Sequence, residues 1–177
     1  VLLKIFKDLR VLFPNLLLIL APRHMNRIGR VNSMALKYGF NPELFSKTYS
    51  LSADKNILII DKMGLLPSIY CCSHLAFVGG SLVPLGGHNM LEGVRAGCPI
   101  VMGPFIENIE DIVRDFEENG GMSIVKDSSA LKKEIKRLMS NSSLRSQMRL
   151  AANAILEANK GSLKITELGI VNAINGN

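Results

Sequence analysis

Two glycine pairs, Gly79-Gly80 and Gly86-Gly87, stand either side of a five-residue stretch that begins at Ser81, and His88-Asn89-Met90-Leu91-Glu92 follows at once. Glycine lacks a Cβ, so backbone N–H groups at such positions can approach a phosphate closely and accept positive φ angles. A helix predicted over 88–96 would add the free amides and the positive dipole end of its first turn. A tight turn that needs glycine for geometry alone would use the same residues. Two pairs bracketing a short loop between a buried strand and a helix favour an anion site. On that helix His88, Asn89 and Glu92 would share one side of the first turn, since His88 and Asn89 precede Glu92 by four and three residues. Glu92 could then accept both hydroxyls of a ribose. A glutamate that merely complements the helix dipole has the same spacing, and both readings stand.

Arg23 and His24 follow closely on a continuous apolar run at 16–20. An arginine there is placed to pair with phosphate or carboxylate in a forked geometry. The alternatives are a surface salt bridge for Arg23 and a hydrogen-bonded structural imidazole for His24. Other chemistries find less support. His24 and His74 lack nearby ligand partners, His88 has only Glu92 one turn on, and Asp54 and Asp61 stand alone, so no metal site is expected. There is no Gly-x-Ser-x-Gly elbow, Walker loop or Gly-x-Gly-x-x-Gly fingerprint, and the last absence argues against a nicotinamide dehydrogenase. Cys71, Cys72 and Cys98 form no C-x-x-C pair, so reduced cytosolic thiols are the natural reading, and Cys71 and Cys72, in the mainly apolar segment 69–75, are expected as small buried hydrophobes rather than nucleophiles.

The elements that must position these residues follow from apolar patterning. Leu2, Leu3, Ile5, Phe6, Leu9 and Leu12 recur at helical spacing and stop before Pro14. Short apolar runs at 16–20, 57–60, 75–78, 99–102 and, more weakly, 122–125 read as strands buried on both faces of a parallel sheet. Helices are predicted at 27–38, 65–72, 88–96 and 109–118, three of them closing at Gly39, Gly97 and Asn119-Gly120. Alternation of this kind implies right-handed crossovers and a doubly wound α/β fold. The helices expected at 128–139, 144–157 and 163–174 form a helical C-terminal tail, with Ser128 or Ser129 and Ser142 as N-caps. Ligands in open parallel sheets bind beyond the carboxyl ends of the strands. Ala21–His24, Asp61-Lys62-Met63-Gly64, Gly79-Gly80-Ser81 and Gly103-Pro104 should all lie there.

The chain has 177 residues, 47% hydrophobic and 20% charged, which suits one α/β domain with a substantial core. No apolar run reaches the roughly 18 residues of a membrane span. The net charge of +6 favours anionic partners. Nucleic acid is not expected, because Trp is absent, aromatic residues make up 6%, and none interleaves the scattered basic residues. The opening Val-Leu-Leu-Lys is neither a signal peptide nor an initiator methionine, and reads as an interior cut.

Three segments together resemble a known family. Pro22-Arg23-His24-x-x-Arg27, Asp61-x-Met63-Gly64-x-Leu66, and the long run from Phe77 through Gly79-Gly80-Ser81 and Gly86-Gly87-His88-Asn89 to Leu91-Glu92, followed by Gly97-x-Pro99 and Gly103-Pro104, are similar to the C-terminal half of the 3-deoxy-D-manno-octulosonic acid (Kdo) transferases of lipopolysaccharide assembly. The resemblance runs from about residue 13 to about 125. It implies the Rossmann-like C-terminal domain of a GT-B glycosyltransferase, which holds the donor CMP-Kdo and faces an N-terminal domain that holds the lipid A precursor. Matched position by position, Pro22 and Arg23 would line the CMP site. Met63, Gly64 and Leu65 would meet the base through backbone groups, and Gly86, Gly87, His88, Asn89, Met90, Leu91 and Glu92 would hold phosphate and ribose. The residue reading and the family reading coincide on Arg23 and Glu92.

This chain departs from the family at Leu65, where a glutamate is common, and at Gly93, where a proline is common. On the same resemblance the chain is a single donor domain (1–127 core, 128–177 tail) that lacks its first strand. The acceptor domain, with the catalytic base and the membrane contact, would also lie elsewhere, so no residue here is a catalytic base. The resemblance places the enzyme at the cytoplasmic face of the bacterial inner membrane, this part being soluble, with no metal or other cofactor. A GT-B enzyme using a UDP-sugar, and a non-catalytic remnant or split-enzyme half that binds nucleotide only, are the competing readings.

Overall fold

The apolar positions at the N-terminus turn to one side of a helix, α1 (Leu2–Leu12), which buries Leu3, Ile5, Phe6 and Leu9 and leaves Lys4 and Lys7 outside. It stops at Phe13, because the ring of Pro14 disfavours helical backbone in the residue before it. The computed structural model describes residues 1–47, 50, 52, 54–85, 87–107 and 109–175, those from 160 on as backbone only. They divide into two units, Val1–Ile69 and Tyr70–Asn177.

In the first unit β1 (Leu18–Leu20), α2 (Ile28–Lys37), β2 (Pro42–Leu44) and β3 (Ile57–Ile59) follow α1. The sheet is parallel in the order β1-β3-β2, with Leu18 and Pro42 each opposite Ile57. Ile57 and Ile59 are fully buried in the central strand, among Leu3, Phe6 and Ala35. β2 is the strand that patterning missed. Pro-Glu-Leu carries no apolar run, and only the ladder to β3 makes it extended. Its proline stands at the first position of an edge strand, where the missing N–H costs little.

The second unit takes in the last three residues of α3 (Leu66–Cys72), then β4 (Ala76–Phe77), α4 (Leu91–Arg95), β5 (Ile100–Met102), α5 (Glu110–Glu118) and β6 (Met122–Ile124). Its sheet is again parallel, ordered β4-β5-β6. β5 is paired on both sides, and Ile100, Val101 and Met102 are each 0% exposed, as an uninterrupted apolar strand requires. Val94 and Met90 press on the sheet together with Val113 and Phe116 of α5. α2, α4 and α5 end at the glycines marked by sequence, all three with left-handed backbone.

The tail begins with α6 (Ser128–Met139). Its cap is Asp127, whose Oδ1 accepts the Ala130 N–H at 2.8 Å, rather than Ser128 or Ser129. Asn141, not Ser142, performs the same role for α7 (Ser142–Asn175), accepting the Leu144 N–H at 3.0 Å. The expected caps lie one or two residues past Asp127 and one past Asn141, among adjacent good caps. The backbone of α7 runs on through Gly161, where two helices were expected, since an interior glycine weakens a helix by only about 1 kcal/mol. Among the described residues no helix is long and apolar enough to cross a membrane.

Candidate functional site

β1 and β3 are paired neighbours, so the residues that leave their carboxyl ends meet at one edge of the first sheet. The Ile60 N–H donates to the Leu20 carbonyl at 2.9 Å, extending the ladder to the point where both chains turn out. Beyond it lie Pro22, half-buried, and Arg23, exposed, on one side, and the turn at Met63, Gly64 and Leu65 on the other. Met63 is 78% exposed, and Gly64 takes φ +79°, so the backbone of this turn is open to solvent. Leu65 is half-buried and its carbonyl accepts the Ile69 N–H at 3.0 Å, starting α3. Asp61 does not stand alone. Its Oδ1 accepts the Ser46 amide at 2.8 Å, and its Oδ2 accepts the Ser46 hydroxyl. Burial works to raise the Asp61 carboxyl, but the Ser46 hydroxyl and amide bonds hold it below its ordinary value. Asp61 is thereby a tether for the turn after β2.

In the second unit the loop after β4 folds back on itself. Gly80 has φ +80°, and a Cβ there would meet the His88 imidazole at 3.6 Å and Gly87 Cα at 3.7 Å. At Gly87, φ is +59° and a Cβ would come within 3.2 Å of both Met102 Cε and the Phe105 carbonyl oxygen. The two glycine segments thus face each other with no side chain between Gly80 and Gly87, and only glycine suits either place. Gly86 lies outside the described residues.

The loop is held from beneath by Ser81, which patterning placed beyond the strand end with Gly79 and Gly80 but gave no role of its own. Ser81 is fully buried. Its hydroxyl donates to the Val78 carbonyl at 2.6 Å and accepts the Gly103 N–H at 2.8 Å, while its own carbonyl accepts the Phe105 N–H at 3.0 Å. The loops after β4 and β5 are joined through this one residue, by its hydroxyl and by its carbonyl. The only trace in the sequence is a small hydroxyl residue directly after a glycine pair.

The expected helix start at His88 is not observed. α4 begins at Leu91, and the Leu91 N–H is taken by Asn89 Oδ1 at 2.9 Å. The left-handed backbone at Gly87 and this side-chain bond keep His88 and Asn89 out of the helix. His88, Asn89 and Glu92 therefore do not form one helical face. His88 lies over Gly80, Asn89 caps, Met90 is buried as an anchor, Leu91 is half-buried, and Glu92 stays exposed in the first turn. A cavity of about 770 Å³ lies elsewhere, along β6 and α6, and none of these residues lines it. Of its two acidic residues, Glu117 and Glu134, the second is bonded to Arg137 and Ser123. Among the described residues no group of three or more His, Cys, Asp or Glu is placed to hold a metal ion.

Parallel sheets wrapped by helices, with glycine-bearing turns at their carboxyl edges, define a Rossmann-like α/β protein of the GT-B C-terminal type. It is similar to the crystal structure of the C-terminal CMP-Kdo binding domain of WaaA from Acinetobacter baumannii, with a TM-score of 0.82 and 28% identity over 87% of this chain and 80% of that one. The chain belongs to the glycosyl transferases group 1 family, whose model matches residues 1–155. Its relatives include the 3-deoxy-D-manno-octulosonic acid transferases of Aquifex aeolicus, 30% identical over 79% of this chain, and of Haemophilus influenzae, 32% identical over 93%. The chain spans 38% and 39% of the length of those two relatives.

Proposed function

We propose that this chain is the donor-binding domain of a glycosyltransferase that moves Kdo from CMP-Kdo to a lipid A precursor in lipopolysaccharide core biosynthesis. The likeness to a solved CMP-Kdo binding domain over most of both chains carries the reading. Pro22 and Arg23 line the CMP site, and the open backbone of Met63, Gly64 and Leu65 meets the base. The segment from Gly87 to Glu92 cradles phosphate and ribose. With the Leu91 amide taken by Asn89, the cradle works through the bare Gly80–Gly87 surface, and Glu92 is the exposed carboxylate for the ribose.

In the proposed reaction an acceptor hydroxyl oxygen bonds to the Kdo anomeric carbon with inversion. The bond from that carbon to the CMP phosphate oxygen breaks, and the hydroxyl proton passes to a base on the acceptor domain. The Arg23 guanidinium supplies charge to the departing phosphate, so the step calls for no metal. The acceptor domain and the contact with the cytoplasmic face of the inner membrane belong to the part of the relatives' length that this chain does not span, and residues 1–177 act as one donor domain.

Thermal shift with CMP and with UDP tests the reading. Stabilisation by CMP in preference to UDP is expected. A UDP preference would make the enzyme a user of UDP-sugars, and no response to either would leave a remnant without nucleotide binding.

A further inference from the structure

α4 has five residues, far fewer than a helix needs to hold its own shape in water, so the direction of Glu92 depends on what packs against the helix. The packing is concentrated at the next residue. Gly93 is buried, and the space its Cβ would occupy is filled by Ile100 Cδ1 at 2.6 Å and by Cε1 and Cδ1 of the Tyr70 ring at 3.1 and 3.3 Å. Ile100 belongs to the central strand and is fully buried. Tyr70 closes the other side. It sits in the second half of α3, half-buried against the cluster that contains Val94, Cys98 and Ile100. Burial, the Cys98 thiol and the Glu92 carboxylate all push the Tyr70 phenol above its ordinary value, which places Glu92 within electrostatic reach of this side chain.

We propose that Tyr70 is a positioning residue for Glu92: its ring, seated on the bare backbone of Gly93, fixes the first turn of α4 and with it the carboxylate that receives the ribose hydroxyls. This rests on the reading of Glu92 as the ribose ligand. Neither residue is interchangeable in such an arrangement. A side chain at 93 would drive the ring off the helix, and a smaller residue at 70 would leave the five-residue turn free to tilt. α3 thus belongs to the binding machinery through contact with α4.

The test compares CMP with 2′-deoxy-CMP by titration calorimetry on the full chain, because only the ribose contact distinguishes the two. The wild type is expected to prefer CMP about tenfold, the scale of one hydrogen bond to a charged group. Glu92→Ala should abolish that preference. Tyr70→Leu should reduce it to about twofold, and Tyr70→Phe, which keeps the ring, should restore it. Leu131→Ala, a core change in α6, should lower the melting temperature and leave the preference intact. A preference that survives Tyr70→Leu but not Glu92→Ala would overturn the role of Tyr70. A preference missing from the wild type, or surviving Glu92→Ala, would overturn the reading of Glu92 and the inference with it. Should Tyr70→Leu fail to fold, Gly93→Ala displaces the ring from the other side. An unchanged preference in that variant would overturn the role, and a collapsed one would support it.

Discussion

The hydroxyl of Ser81 accepts the Gly103 amide at 2.8 Å, and the two backbones lie so close that a Cβ on Gly103 would come within 2.1 Å of the Ser81 carbonyl oxygen. The loops that leave β4 and β5 are locked together at this point. Ser81→Ala leaves the Gly103 amide without its partner in a buried setting and should cost about 1–3 kcal/mol in urea denaturation. Gly103→Ala forces the two backbones apart and should cost at least about 2 kcal/mol. If Ser81→Ala matched the wild type in midpoint, the hydroxyl would not be the link between the loops.

Nucleotide binding is expected to depend on Arg23 and on Glu92. Arg23→Ala and Glu92→Ala should each weaken CMP binding about tenfold or more, as for one lost charge-assisted hydrogen bond. Calorimetry returning the wild-type affinity in both variants would remove these residues from the site.

The three thiols should differ in reactivity. Cys71 and Cys72, expected as buried hydrophobes, are exposed at the end of α3, and Cys98 is the buried one. Burial pushes the Cys98 thiol from 9.0 up to about 12, although Arg149 works to lower it. Titration with a chromogenic disulfide at pH 8 should find two reactive thiols in the native protein and a third only in denaturant. Since the folded value lies above the unfolded one, the Cys98 proton contributes stability that is fully present below pH 9 and is lost as pH climbs toward 12. A flat alkaline limb up to pH 11 would contradict that environment.

At the acid end the corresponding group is Glu134. The Arg137 guanidinium, against a burial penalty and with help from the Ser123 hydroxyl, holds its carboxyl below the usual glutamate value. The sign is opposite to that of Cys98. The contribution is present above the unfolded value of 4.5 and fades as pH falls through the lower folded value. Glu134→Gln should therefore be less sensitive than the wild type to acid between pH 5 and 3 in thermal melts, by only a fraction of a kcal/mol because Arg137 is half exposed. Parallel acid limbs in the two proteins would count against the arrangement.

Patterning alone determined the class of fold and most of its elements. Four of the six strands among the described residues are continuous apolar runs, and β6 breaks its run only at Ser123, because a strand covered on both faces by helices has little polar side to show. The glycines ending α2, α4 and α5 were legible because left-handed backbone excludes nearly every other residue. The sequence also placed Arg23 beyond the end of β1 and Gly80 and Gly87 in the loop after β4, since each parallel sheet sends such turns to its own carboxyl edge. Tertiary structure decided what depends on contacts between distant segments. β2 exists through its ladder with β3, and Ser81 matters because Gly103 and Phe105 lie within reach. His88 leaves the predicted helix to lie over Gly80, and Tyr70 reaches Gly93 from another helix. The glycine run could be read as a cradle from its own residues. The first turn of α4 could not, because a helix of five residues takes its start and its direction from the side chains packed around it.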